Sequence, residues 1–297
     1  MRRRTFVTAA GMVPLTLAPN RRRAPRPFHL AYAPHFGMFQ AHAGPDPVAQ
    51  LEFMAAEGFR ALEDNGMRDR SVADQERIAA AMERLNIRMG VFVAHTIGWK
   101  EPTLASGDPA KREQFLAEIR QSVDVAKRVR ARWMTVVPGH VDARLDLQYQ
   151  TAHLIESLKR AAAILEPHRL TMVLEPLNTL RDHPGMILTE TPQAYALCKA
   201  VASPACKILF DAYHQQITEG NLIPNIDAAW DEIAYVQVGD NPGRKEPGTG
   251  EVNYRNVFRH FAAKGYQGVI GMEHGNSRPG KDGERAVIDA YLRADDW

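Results

Sequence analysis

Cysteine is scarce in this sequence: 297 residues contain only Cys198 and Cys206, too few for a disulfide framework or a cysteine-based zinc site. Two free buried thiols, or one bridge in an oxidising compartment, are the readings left for them. No apolar run approaches the roughly 18 residues that a membrane-spanning helix requires, so stable membrane insertion is not expected. A low-complexity linker is also missing, which argues for one domain after the N-terminal segment. With 45% hydrophobic and 24% charged residues, the chain has a globular composition; collagen-like, disordered and small disulfide-stapled classes are excluded.

Acidic residues are absent from the first 26 positions, which carry seven arginines: Arg2, Arg3, Arg4, Arg21, Arg22, Arg23 and Arg26. The whole chain is formally +2, but without those arginines 30 basic residues face 35 acidic ones, leaving the body at −5. A mildly acidic body exerts no general pull on nucleic acid, and no nucleic-acid partner is expected. Arg3-Arg4-Thr5-Phe6-Val7 resembles a twin-arginine export motif, followed by a modestly apolar stretch from Phe6 to Ala18. Pro14 interrupts that stretch, no Ala-x-Ala cleavage site is evident, and Arg21-Arg22-Arg23 follows. Residues 1–26 therefore read as an export signal that would place the body in the periplasm, with a basic tail on a cytoplasmic protein as the alternative.

From Phe28 onward, short apolar runs alternate with amphipathic stretches. Strands are predicted at 28–34, 59–64, 87–95, 133–138, 170–176, 206–212, 234–240 and 268–274. Helices are predicted at 46–57, 71–85, 108–130, 146–166, 191–202, 225–232, 253–264 and 283–293. Asp46-Pro47 supplies an N-cap and a first-turn proline, and Ser71 with Asp74 a capping-box-like start. Continuous apolar strands indicate burial on both faces, as in a parallel sheet. Eight strand–helix units in residues 27–297 predict an α/β fold, a single (β/α)8 TIM barrel. A Rossmann-type sheet would want a glycine-rich turn after the first strand, and Ala33-Pro34-His35-Phe36-Gly37 does not supply one.

In such a barrel the C-terminal strand ends converge on one mouth. The last four predicted strands each end on a polar side chain: Glu175, Asp211, Gln237 and Glu273. A carboxylate in an apolar run is costly unless paired or metal-bound, and three in one mouth repel one another unless a cation intervenes. Three carboxylates and an amide oxygen suit a hard divalent ion, with Mg²⁺ fitting and Mn²⁺ or Co²⁺ tolerated.

Leu174-Glu175-Pro176-Leu177-Asn178, Phe210-Asp211-Ala212-Tyr213-His214-Gln215-Gln216 and Val236-Gln237-Val238-Gly239-Asp240 resemble the hydroxypyruvate isomerase family of xylose-isomerase-like barrels. The loop Pro242-Gly243-Arg244-Lys245-Glu246-Pro247-Gly248-Thr249-Gly250-Glu251 and Gly265-Tyr266-Gln267-Gly268 strengthen the resemblance. It implies metal ligands at Glu175, Asp211, Gln237 and Glu273, acid/base carboxylates at Glu175 and Glu273, and substrate contacts at His214 and Arg244. The implied chemistry is proton transfer beside a carbonyl, with metal-chelated substrate oxygens and an enediolate. The first half departs from the family: Leu62-Glu63-Asp64-Asn65-Gly66-Met67 stands where a Phe-Pro-Tyr-like turn is usual, and Ala94-His95-Thr96 where Asn-Leu-Pro is.

Other side chains have local readings. His95, His35 and His140 sit at predicted strand ends, and His95 is carried as a substrate-binding candidate. His274 should pack on the far side of its strand. Gly248 and Gly250 are expected to set backbone conformation, Glu246 and Glu251 to cap the following helix or brace the loop, and Trp99 or Phe36 to wall a sugar ring or pack in the core. The expected partner is a small hydroxycarbonyl or sugar, and a homo-oligomer is compatible with the sequence. Rival functions are an exported keto-sugar lyase on the same metal site, an endonuclease-IV-like metallohydrolase, and a non-catalytic sugar-binding barrel.

Overall fold

A computed structural model describes residues 28–297; the segment read as an export signal lies outside the described residues. Among the described residues, eight short parallel strands stand in the expected places: β1 Tyr32–Ala33, β2 Ala61–Leu62, β3 Arg88–Met89, β4 Trp133–Val136, β5 Thr171–Leu174, β6 Cys206–Asp211, β7 Ile233–Val238 and β8 Ile270–Met272. The α-helices that accompany them are α1 Gln40–Ala43, α2 Pro47–Ala56, α3 Val72–Leu85, α4 Pro109–Val129, α5 Leu147–Leu165, α6 Thr191–Val201, α7 Ala212–Thr218, α8 Leu222–Ala229, α9 Tyr254–Ala263 and α10 Gly280–Ala294. Among the described residues no helix is long and apolar enough to cross a membrane.

The helix starts follow local chemistry. Asp46 accepts the Ala49 N–H with Pro47 in the first turn, and Ser71 accepts the Asp74 N–H, so each cap satisfies a donor that the helix itself leaves free. The short α1 and α7 have no counterpart in the periodicity, which is uninformative over one or two turns. In α7 the cap is Asp211 itself, whose Oδ1 accepts the Tyr213 N–H.

The regular ladders fall into a six-stranded sheet, β1-β8-β7-β6-β5-β4, and a pair, β2-β3. Single parallel bridges, His35 with Glu63 and Val93 with Thr135, lie between these two sheets. The long apolar run predicted over 87–95 thus pairs regularly only at Arg88–Met89 and by one bridge further on. A buried cluster of Ala33, Ala61, Val91, Trp133, Val173, Leu209, Tyr235 and Val269 draws one residue from, or beside, each strand. It forms a core of its own, separate from a larger cluster that packs the helices against the strands. Cys198 and Cys206 are free, buried thiols.

The loop after β7 is tied by one side chain. Asp240, fully buried, accepts the backbone N–H groups of Gly248, Gly250 and Val252 at 2.7, 2.9 and 3.1 Å. Glu246 holds Ser277, and Glu251 accepts from Asn241 and Gln216, while the following helix is capped by Asn253, so of the two roles expected of these glutamates it is bracing that the structure shows. Replacing Asp240 by Ala strands three donors, and Asp240→Ala should lower stability by about 2–3 kcal/mol. Urea unfolding checks this, with new proteolytic cleavage within 241–252 as the companion signal; a midpoint equal to wild type would contradict it.

Candidate active site and metal centre

Asp211 and Gln237 are neighbours in the register of β6 and β7, and Gln237 stands beside Gly271 in β8. Glu175 follows β5 directly, and Glu273 follows β8. The strand ends thus converge: one ligand-type atom each from Glu175, Asp211, His214 and Glu273 lies within 4.8 Å of the others. The mouth also receives Arg244, carried on the loop that Asp240 ties. Its backbone is left-handed, at φ 51°, an uncommon conformation for a side-chain-bearing residue. Its guanidinium reaches Glu273 Oε2 at 2.5 Å and Asp211 Oδ2 at 3.6 Å and lies over the Tyr213 ring.

Three buried oxygens here have no hydrogen-bond partner, Asn65 Oδ1 and, from adjacent strands, the pair Asp211 Oδ2 and Gln237 Oε1. Buried polar atoms are ordinarily satisfied, so an orphaned pair calls for an explanation. Neighbouring carboxylates sharpen the point. Burial, then the Glu273 and Asp211 charges, push the Glu175 carboxyl well above the usual range. Asp211 is raised by burial against the opposing pull of Arg244 and the backbone N–H groups of Tyr213 and His214. Burial lowers Arg244, but Glu273, Asp211 and Glu175 outweigh it and hold the guanidinium firmly charged. One cation faces several acids, and this donor set, carboxylate oxygens with an amide oxygen, fits a hard divalent ion.

Around these groups stand residues that the sequence did not single out. Asn65 Nδ2 donates to Glu273 Oε1 at 3.0 Å, so Glu273 is braced by Arg244 on one oxygen and Asn65 on the other. Asn178 faces His214 Nδ1 with both its backbone N–H (3.3 Å) and its side-chain Nδ2 (2.6 Å). A nitrogen receiving two donors carries no proton, which puts the proton of the neutral ring on Nε2, 3.5 Å from Asp211 Oδ2. Arg244 Nη2 also lies 3.3 Å from that nitrogen, but a guanidinium cannot accept a proton, so the approach is a contact between two donors. Burial, then Arg244, brings the His214 pKa down to about 3, so the ring is neutral at ordinary pH. His183 stacks on Trp99 with centroids 5.0 Å apart and touches His214 on its other side. Trp99 is 47% exposed, which makes it a rim residue. Asn178 lay inside a quoted motif and Asn65 inside the divergent turn 62–67, but nothing in the sequence pointed to His183.

The remaining histidines separate from the cluster. His95 Nδ1 faces the Thr96 carbonyl and Nε2 accepts the Val137 N–H, and burial lowers its pKa to about 4. It lines a cavity of about 390 Å³ with Trp99, Lys111 and Glu118, whose walls include none of the clustered acids. His35 faces the Phe36 and His274 carbonyls, and His140 that of Val141. His274 packs on Tyr291 as expected. Phe36 lies beneath Arg70 and against the core.

A parallel α/β fold with acids gathered at its strand ends defines a class, and comparison with known proteins gives its family. The xylose isomerase-like TIM barrel family matches residues 51–294, and the chain belongs to that family. Within it the chain is a homologue of hydroxypyruvate and 2-oxo-tetronate isomerases. Hydroxypyruvate isomerase of Escherichia coli (strain K12) is 29% identical over 77% of this chain and 88% of that protein. 2-Oxo-tetronate isomerase of Cupriavidus necator is 30% identical over 86% and 95%. Among solved structures, an AP endonuclease of family 2 from Brucella melitensis superposes with TM-score 0.76 at 25% identity, covering 86% of this chain and 96% of that one. The 3-keto-D-glucoside 4-epimerase of E. coli does so at 0.74 and 19%, covering 89% and 98%, and shares the fold.

The raised carboxyls set a pH dependence. A carboxyl with an elevated folded pKa holds its proton more tightly folded than unfolded, so the metal-free protein loses stability as pH rises from the ordinary 4.5 of a glutamate. Glu175→Gln should flatten that slope and raise the metal-free melting midpoint at pH 8 by about 2–4 °C, corresponding to ~1 kcal/mol. Thermal melts in chelator from pH 5 to 8 check it; a lower midpoint with an unchanged slope would contradict it.

Proposed function

We propose that the protein is a divalent-metal-dependent isomerase or epimerase of a small α-hydroxycarbonyl acid or keto-sugar, acting by proton transfer next to the carbonyl. The observation that carries this reading is the pair of unpartnered buried oxygens, Asp211 Oδ2 and Gln237 Oε1, beside the Glu175 and Glu273 carboxylates. Homology to hydroxypyruvate and 2-oxo-tetronate isomerases supports the reaction class and the α-hydroxycarbonyl substrate. Glu175, Asp211, Gln237 and Glu273 would hold the ion, with Mg²⁺ or Mn²⁺ suited to oxygen donors and Co²⁺ tolerated. When bound, such an ion supplies a Lewis acid that acidifies the C–H beside a chelated carbonyl.

The chain's own residues supply the rest. Glu175, poorly solvated and with no strong hydrogen-bond donor on its carboxylate, takes the proton from the substrate carbon. Glu273, oriented by Asn65 and Arg244, returns one from the other side. His214, proton on Nε2, donates to a substrate oxygen, and Arg244 binds a second oxygen or a carboxylate. Trp99 and His183 form the rim against which the substrate carbon skeleton rests. The cluster contains one histidine, His214, which favours an isomerase over a multi-zinc nuclease.

Two wider readings accompany this one. The two sheets are read as one closed (β/α)8 barrel over residues 27–297, supported by the single bridges at His35–Glu63 and Val93–Thr135. Residues 1–26 are read as directing export to the periplasm, supported by Arg3-Arg4 and the apolar stretch behind them.

Incubation in D2O with Mn²⁺ and a panel of hydroxypyruvate, 2-oxo-tetronate, ketoses and 3-keto-glycosides tests the chemistry by NMR. Deuterium should enter beside the carbonyl of at least one member, and Glu175→Gln should slow that exchange by about 10²–10⁴-fold. Absence of exchange in every member by Mn²⁺-loaded protein, or undiminished exchange in Glu175→Gln, would overturn the proposal.

A further inference from the structure

Glu63 is 2% exposed and takes no part in the reaction outlined above. It follows β2, on the opposite side of β1 and β8 from the strand that carries Gln237. Its two oxygens are divided between two residues of β7: Oε1 accepts from Gln237 Nε2 at 2.8 Å, and Oε2 accepts from the Tyr235 hydroxyl at 2.8 Å. The intervening strands make room for this reach. At the level of Gln237 the register runs through Gly271 of β8 and Ala33 of β1, the two smallest side chains available. A Cβ on Gly271 would fall 1.9 Å from Glu63 Oε2 and 3.0 Å from Gln237 Cγ, so only glycine admits the contact.

A primary amide is nearly symmetric in shape but has opposite polarity at its two ends. An unrestrained glutamine can present either oxygen or NH2 to a neighbour, and only the oxygen can ligate a cation. We infer that Glu63 is a positioning residue, which by engaging Gln237 Nε2 fixes the amide so that Oε1, the orphaned atom, is the end offered to the metal. The inference rests on the metal site proposed above and deepens it. Tyr235 completes the device by occupying the second oxygen, so that Glu63 cannot rotate away from Gln237. The orientation holds whether or not Glu63 carries a proton on Oε2, since Oε1 accepts in both forms.

Outer partners of metal ligands typically govern affinity by 10–100-fold, which gives the test its scale. Titration of the full-length, metal-free protein with Mn²⁺ alone, followed by calorimetry and by loss of the free-ion EPR signal, compares wild type, Glu63→Gln, Gln237→Glu and the double exchange. Glu63→Gln can offer an N–H to Gln237 and so permits the wrong amide orientation; its Mn²⁺ affinity should fall by about 10-fold. In the double exchange the amide introduced at position 63 donates to the carboxylate introduced at position 237 and still accepts from Tyr235. Every hydrogen bond is thereby restored, with the carboxyl group moved from one residue to the other. The double exchange should bind Mn²⁺ at least about 10-fold more tightly than the product of the two single effects, a non-additivity that a merely structural Glu63 would not produce. Glu63→Gln binding within twofold of wild type, or strictly multiplicative effects in the double exchange, would overturn the inference while leaving the metal site intact. Should Glu63→Gln fail to fold, the double exchange keeps the test alive, because its failure to bind Mn²⁺ would also overturn the assignment. Wild-type protein that binds no Mn²⁺ would instead remove the metal-site reading and this inference with it.

Discussion

Mutual repulsion among buried carboxylates is the constraint around which this molecule is arranged. Glu63, Glu175, Asp211 and Glu273 stand within one interior, and Arg244 is the cation that reaches both Asp211 and Glu273. Burial makes each charge expensive, and proximity makes each addition more so; removing one partner from such an arrangement costs more than the pair gains. The surrounding hydrogen bonds can be understood as a division of labour under that load. Asn65 and Arg244 hold Glu273, backbone N–H groups hold Asp211, and Tyr235 with Gln237 holds Glu63. Glu175 is left with the least support, which suits the proton exchange proposed for it.

The fold supplies the geometry in two layers. Beneath the acids, the separate apolar core from Ala33 to Val269 fixes the spacing of the strands. Above it the strand ends turn into loops, and the loop after β7 is held by Asp240 so that Arg244 enters the mouth from the side. Small residues in β1 and β8 then decide what can meet across the interior. Without Gly271, Glu63 and Gln237 would be kept apart by a side chain, and the amide would lose its anchor.

Much of this was legible in the sequence because it is local. Apolar runs located all eight strands, and Asp46 and Ser71 announced their helices with caps whose donors are three residues away. The four ligand candidates were visible as polar residues closing apolar runs, a pattern that desolvation makes rare unless something compensates. What escaped reading is non-local. Glu63 has the same signature, an acid at the end of Phe59-Arg60-Ala61-Leu62, but its partners lie more than 170 residues away, so it read only as part of a divergent turn. Asn65 and His183 sit in loops where periodicity is silent, and their roles arise from which loops meet at the mouth. His95 shows the converse: its position at a strand end pointed to the substrate, whereas its ring nitrogens are engaged by the backbone of its own and the neighbouring loop.

The proposed chemistry requires that the orphaned oxygens of Asp211 and Gln237 belong, with Glu175 and Glu273, to one cation site. Anomalous diffraction from crystals soaked in Mn²⁺ tests it most directly. A single strong peak coordinated by all four side chains is expected, with Gln237 bound through oxygen and its nitrogen still on Glu63. A peak liganded elsewhere, or none at saturating Mn²⁺ with Arg244 still clasping Glu273 and Asp211, would contradict it.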